Sequence, residues 1–176
     1  DHLYDAYCCI WASDALYYNG GAVTHSSAYN YRGNLLAARI AQLIGEDDRK
    51  YKEEAEAILK AMNERLWMQE HGHWAEFQDL MGHKRLHKSA ALWSIYTPID
   101  CGACTPEQAY LATKYVDRDI PHIPIVVNKE DTIGYTLSTT DWMPYAWSTN
   151  NVAHEEVANM ALAYFQAGRN IEGFSL

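Results

Sequence analysis

Leu66-Trp67-Met68-Gln69-Glu70-His71-Gly72-His73-Trp74-Ala75-Glu76-Phe77-Gln78-Asp79 is the stretch on which the reading of the fold turns. Before it, from about Arg49 to Trp67, Tyr51, Ala55, Ile58, Leu59, Met62 and Leu66 recur at helical spacing. Lys52, Glu53, Glu56, Lys60 and Glu64 take the remaining positions, so one face is apolar and the others solvated. After Gly72 the period changes. Trp74, Glu76 and Gln78 alternate with Ala75, Phe77 and Asp79 up to a Met81-Gly82 turn, and His83 to Leu86-His87 returns as a second short strand. That is the pattern of a small β-hairpin set between helices.

Working outward, residues 4 to 18 carry Tyr4, Tyr7, Cys8, Trp11, Ala15 and Tyr18 at helical spacing, and Asn19-Gly20-Gly21 stops the run. A second helix is expected from about Ala28 to Ile44, with Leu35, Leu36, Ile40, Leu43 and Ile44 as its apolar side. A fourth is expected over Ser89 to Tyr96, stopping before Pro98. Thr105-Pro106-Glu107 caps and starts a fifth that runs to about Val116. Residues 117 to 150 read as a long connection, and a connection of that length is usually functional. A sixth helix, apolar on nearly every side, spans about Asn151 to Gln166, with Asn150 or Asn151 as its cap. The expected fold is all-α, a single helical domain over 1–176 of stacked antiparallel hairpins with a small β-hairpin insertion.

Composition narrows the function. Thirteen Tyr and six Trp stand against three Phe, a choice that suits wet clefts and the stacking of flat, partly polar ligands. The net charge is −9, and no Lys/Arg run follows a phosphate backbone, so nucleic acid is not expected as a partner. No apolar run approaches the roughly 18–20 residues of a membrane span. Cys101-x-x-Cys104 has the spacing of half a zinc site, but Cys8-Cys9 does not complete it. His71-x-His73 and His83-x-x-x-His87 lack the helical setting and following acid of a zinc protease. Neither a metal nor another cofactor is expected.

Tyr18 to Ser27, Ile120-Pro-His-Ile-Pro124, Cys101 to Ala109 and Trp142-Met-Pro-Tyr-Ala-Trp-Ser-Thr-Asn-Asn-Val152, with the Leu66–Glu76 stretch, resemble the six-hairpin glycosidases and a bacterial domain family grouped with them. The resemblance implies an (α/α)6 toroid, of which this chain looks like about half. It also implies a glycoside hydrolase acting on oligo- or polysaccharide, and an extracytoplasmic location. The fragment alone is expected to expose apolar helix faces and to associate through them, or with the missing part of the barrel.

Such hydrolysis needs two carboxyl groups flanking the scissile bond, one with a raised pKa. Glu76 and Asp141 are the first candidates, because both adjoin Trp outside regular helix; Asp79, Asp100 and Glu155 follow. Trp74, Trp142, Tyr145 and Trp147 are candidate sugar platforms, and His25, Asn150 and Asn151 candidate hydroxyl-binding groups. Glu155 and Glu156 also suit a first helical turn for the dipole alone. A non-catalytic carbohydrate-binding domain and a helical protein-interaction module remain the alternatives.

Overall fold

The computed structural model describes residues 1–6, 21–127, 131–141 and 151–176. Within them the chain forms β1 (Asp5–Ala6), β2 (Gly21–Val23), α1 (Thr24–Ile44), α2 (Arg49–Arg65), β3 (Trp67–Met68) and β4 (His73–Trp74). It continues with β5 (Phe77–Gln78), β6 (Leu86–His87), α3 (Leu92–Asp100), α4 (Pro106–Asp119), β7 (His122–Val127), β8 (Asp131–Leu137), α5 (His154–Gln166) and α6 (Asn170–Ser175). The expected helix over residues 4 to 18 falls mostly outside the described residues, and its start is the strand β1.

The all-α expectation is corrected. The described residues are 54% helix and 17% strand, in three small antiparallel sheets beside stacked helices. The hairpin after α2 is not one alternating pair either. β4 pairs back onto β3, while β5 sits between β2 and β6. The chain switches sheets at Ala75-Glu76, where Ala75 N–H donates to the Leu66 carbonyl and Glu76 N–H to the His87 carbonyl, each at 2.8 Å. At Gly21 a Cβ would lie 2.2 Å from the Gln78 carbonyl oxygen, so β2 reaches β5 only with glycine there.

Three helices form an inner row. Leu92 N–H donates to the Thr139 carbonyl and Thr139 N–H to the Asn151 carbonyl, which ties the starts of α3 and α5 together. Thr24 N–H donates to the Glu76 carbonyl, bringing in the start of α1. At the far end, Asp100 receives Arg32 of α1 and Gln166 of α5. The helices α1, α3 and α5 therefore run the same way, with their N-termini at one end. α2 lies against α1, and α4 and α6 lie against α5. The core between them holds Ile58, Met62, Leu66, Trp74, Leu92, Ile95, Val116 and Met160, all fully buried.

Sequence explains several boundaries. α4 opens with a reciprocal capping box, Thr105 accepting from Gln108 N–H and Gln108 returning to Thr105 N–H, and Pro106 follows the cap. α1 starts earlier than expected and turns its small residues, Ala28, Ala38 and Ala41, inward. Its large apolar side faces solvent, with Leu36, Ile40, Leu43 and Ile44 all exposed. α3 does not stop before Pro98. It carries that proline to Asp100, and Cys101, Gly102 and Ala103 then fold back on the Thr97, Ile99 and Pro98 carbonyls. Residues 122–127 and 131–137 of the expected loop are instead the antiparallel pair β7 and β8, exposed along most of their length.

Candidate functional site

The inner row gathers polar groups at its N-terminal end, and Glu76 lies at the centre of them. The sheet switch at Ala75-Glu76 engages the local backbone, including a bond from Thr24 Oγ1 to the Ala75 carbonyl at 2.5 Å. The Glu76 side chain points at the first turn of α3. Its Oε2 accepts from Ala91 N–H at 2.9 Å and its Oε1 from the Trp93 indole N–H at 2.6 Å. α3 has no acid of its own in that turn, and the Glu76 carboxyl supplies acceptor oxygens to its unpaired N-terminal donors. Burial holds the Glu76 carboxyl well above its ordinary 4.5, at about 7; the Ala91 N–H opposes the rise and Glu156 adds to it. At neutral pH this is a carboxyl close to half protonated.

Asp141 lies on the outer side of the same end. It helps to line a surface hollow of about 380 Å³ with His71, Lys88, Arg118 and Asp119. Partial burial raises its carboxyl, its own backbone N–H opposes this, and Asp119 adds to the rise. Tyr115 joins the two acids. Its hydroxyl donates to the Ala90 carbonyl at 2.8 Å, one residue before the N–H that Glu76 holds. Burial pushes its phenol up, and the charges of Asp141 and Glu76 both add to that. Behind it His73 stacks on the Tyr115 ring at 3.7 Å. His73 sets both ring nitrogens against carbonyl oxygens, Nε2 2.8 Å from Lys88 and Nδ1 3.2 Å from His71; burial lowers its imidazole, and these two contacts oppose that.

The other expected residues are spread more widely. Asp79 pairs with His87 at 2.8 Å, and that imidazole stacks on Phe77. Asp100 is at the opposite end of α3, paired with Arg32 at 3.0 Å, so the fold does not bring it to Glu76. Glu155 is exposed in the first turn of α5. Asn151 does not cap α5, which begins after Ala153; its Oδ1 accepts from Val152 N–H. Trp74 is fully enclosed and meets Trp67 edge-on at 4.8 Å, away from any sugar-accessible surface. His25 is buried in the first turn of α1, and burial lowers its imidazole to about 4, so it is neutral. Trp142, Tyr145, Trp147 and Asn150 lie outside the described residues. Cys101 and Cys104 are free thiols, each pushed up to about 11 by burial.

Glu156, discounted in the sequence as a first-turn acid, is buried. It is 2% exposed, and burial raises its carboxyl while the Tyr96 hydroxyl beside it opposes the rise. Its signal was positional: Glu156, Met160 and Ala163–Tyr164 follow the i, i+4, i+7/8 stripe that α5 buries. Because α5 is apolar on most sides, that stripe did not stand out.

No protein-family model matches the sequence, and no characterised protein matches it either.

Proposed function

We propose that this chain belongs to a glycoside hydrolase-like protein acting on oligo- or polysaccharide, with Glu76 and Asp141 as its acid and base. The observation that carries the reading is the pairing of unlike carboxyls around Tyr115. One is enclosed and holds its proton near neutral pH; the other faces a solvent-filled hollow beside cations and a second acid. Burial raises both carboxyls, and what distinguishes them is that one is enclosed and the other faces solvent, the division of environment that acid/base hydrolysis uses. The aromatic residues Trp142, Tyr145 and Trp147 follow Asp141 directly in sequence, where a sugar platform would serve it. In this reading Lys88 and Arg118 orient hydroxyls at the rim of the hollow, and the extracytoplasmic location implied by the resemblance belongs to the same proposal.

One observation favours the second reading, a carbohydrate-binding domain without turnover. Both Glu76 oxygens already accept hydrogen bonds, from Ala91 and Trp93. A carboxyl held on both sides positions α3 well but must loosen one bond to deliver a proton. Reducing-end release from a panel of plant and microbial polysaccharides separates the two. Release from at least one polymer supports hydrolysis; retention on an immobilised polymer with no release from any supports binding alone.

A further inference from the structure

At the far end of the inner row from Glu76, the C-terminal half of α1 turns a row of apolar side chains outward. Leu36, Ile40, Leu43 and Ile44 are exposed, from 51% at Leu36 to 78% at Leu43. Gly33, Leu36, Ile40 and Leu43 recur at alternating steps of three and four residues, the a/d spacing of a coiled-coil seam. A Cβ at Gly33 would meet nothing within 4 Å, so the described residues give no reason for glycine at an exposed mid-helix position that it weakens. The opposite side of α1, with Ala28, Ala38 and Ala41, is buried, and the helix packs on α2 and α3. The two flanks of the row differ in charge. Arg39 stands on one. On the other, Ala37, Ile40, Ala41 and Ile44 line an open hollow of about 430 Å³ that Glu46 also borders. Neighbouring charges are engaged: Arg32 with Asp100, Asp47 with Arg49, Asp48 with Lys52, and Lys50 over the Tyr51 ring. Arg39 and Glu46 are exposed and have no ionic partner among the described residues.

We propose that a second copy of this chain covers this face, α1 against α1 and pointing the same way, about a two-fold axis along the seam. The residue types select that occupant. Ile at position a with Leu at position d is the combination that favours two parallel strands, here Ile40 with Leu36 and Leu43. The charges select the direction. An axis parallel to the helices sets each flank against the opposite flank of the other copy, so Arg39 of each copy meets Glu46 of the other. Antiparallel helices would set like flank against like, and Arg39 against Arg39. Arg39 takes the g position and Ile44 the e position that follows, about 7.5 Å further along the axis, the two positions whose side chains bridge paired helices. Glu46 lies just past Ile44, on a turn tied back by its own N–H to the Ala41 carbonyl at 2.8 Å. The aliphatic stem of Arg39 crosses the apolar floor of the hollow on the way to it. Because the same patch serves both copies, the assembly closes at two. The pairing stands apart from the carbohydrate reading.

Sedimentation velocity on the parent, Arg39→Glu, Glu46→Arg and an equal mixture of the two variants tests it, over chain concentrations from about 1 to about 300 µM. The parent's mass should rise with concentration from the 20.1 kDa of one chain toward twice that value. Arg39→Glu sets acid against acid at both junctions, and Glu46→Arg sets base against base, so each variant alone should pair about tenfold more weakly or worse. In the mixture the two variants carry opposite charges at both junctions, and a mixed dimer should form at least as tightly as the parent's. Misfolding of either variant cannot produce that recovery, and both substituted side chains are exposed. The mass of one chain at every parental concentration overturns the proposal and leaves the face to another partner or to solvent. A parental dimer that neither substitution weakens puts the contact elsewhere and overturns it too. So does a dimer that both weaken and the mixture fails to restore, since that outcome excludes Arg39 facing Glu46.

Discussion

Replacing Glu76 by Gln should change how stability depends on pH more than it changes the fold. The Glu76 carboxyl ordinarily titrates at 4.5 and in the folded chain at about 7. Between those values the folded state holds a proton that the unfolded state has released, so stability is complete below 4.5 and declines as pH rises to 7. The gap corresponds to roughly 3 kcal/mol. His25 works in the opposite sense. Its folded value of about 4 lies below the ordinary 6.5, so its contribution is complete above 6.5 and is lost as pH falls toward 4, again by roughly 3 kcal/mol. Over the shared window from 4.5 to 6.5 the two slopes offset each other in the parent protein. Glu76→Gln removes the largest carboxyl slope opposing His25, while Glu156 and Asp141 still act in the same sense as Glu76, so from pH 4 to 6.5 stability should climb relative to the parent by up to about 3 kcal/mol. His25→Gln should give the mirror result, a decline from pH 4.5 to 7. The amide also turns an N–H toward one of the two donors that Glu76 now accepts from, a cost of about 1.5–3 kcal/mol at its most stable pH. Urea unfolding followed by Trp fluorescence at half-unit pH steps measures both effects. A Glu76→Gln curve running parallel to the parent from pH 4.5 to 7 refutes the reasoning.

Two further substitutions test the frame that positions the site. Arg169, with its side chain 5% exposed, holds Asp117 at 2.6 Å and Thr113 at 3.2 Å while packing over Tyr164, so it ties α6 to α4 and α5. Arg169→Met should lower unfolding stability by about 1.5–3 kcal/mol, read from the urea midpoint, since it removes the charged hydrogen bonds to Asp117, which keeps Lys114 and Tyr164. Gly21→Ala should cost about 1–3 kcal/mol by pushing β2 off the Gln78 carbonyl, and amide hydrogen exchange should locate the loss at the β2–β5 pairing.

Much of the helical frame was legible in the residues. The α2 stripe and the Thr105-Pro106 start of α4 state their elements through periodicity and local chemistry, and neither needs tertiary information. The β7–β8 pair was not legible for a physical reason. Alternation shows in a sequence when one strand face is buried, and Ile123, Ile125, Val126, Val127 and Ile133 are all exposed; Pro121 and Pro124 also argued for a loop. Pro98 misled in another way. Its missing N–H argues for a helix end, but α3 is nine residues long and its last turn is closed by Cys101, Gly102 and Ala103.

Trp neighbours drew attention to Glu76 and Asp141; in the structure Glu76 is enclosed, Asp141 lines the surface hollow, and both act electrostatically on Tyr115. Asp79 and Asp100 look similar in sequence, yet long-range pairing with His87 and Arg32 occupies them, and no local pattern announces such partners. Glu156 resembled an ordinary first-turn acid until the packing of α5 on α3 enclosed it. The meaning of Trp74 also depended on packing: beside Glu76 in sequence, it is a core residue in space.

Polysaccharide turnover in the parent, Glu76→Gln and Asp141→Asn, measured side by side as reducing ends released, tests the central claim most directly. The account predicts release by the parent and a loss of at least about 100-fold in kcat for each variant. The melting temperature of Asp141→Asn should not move, because that side chain faces solvent. Parental turnover in both variants would contradict it.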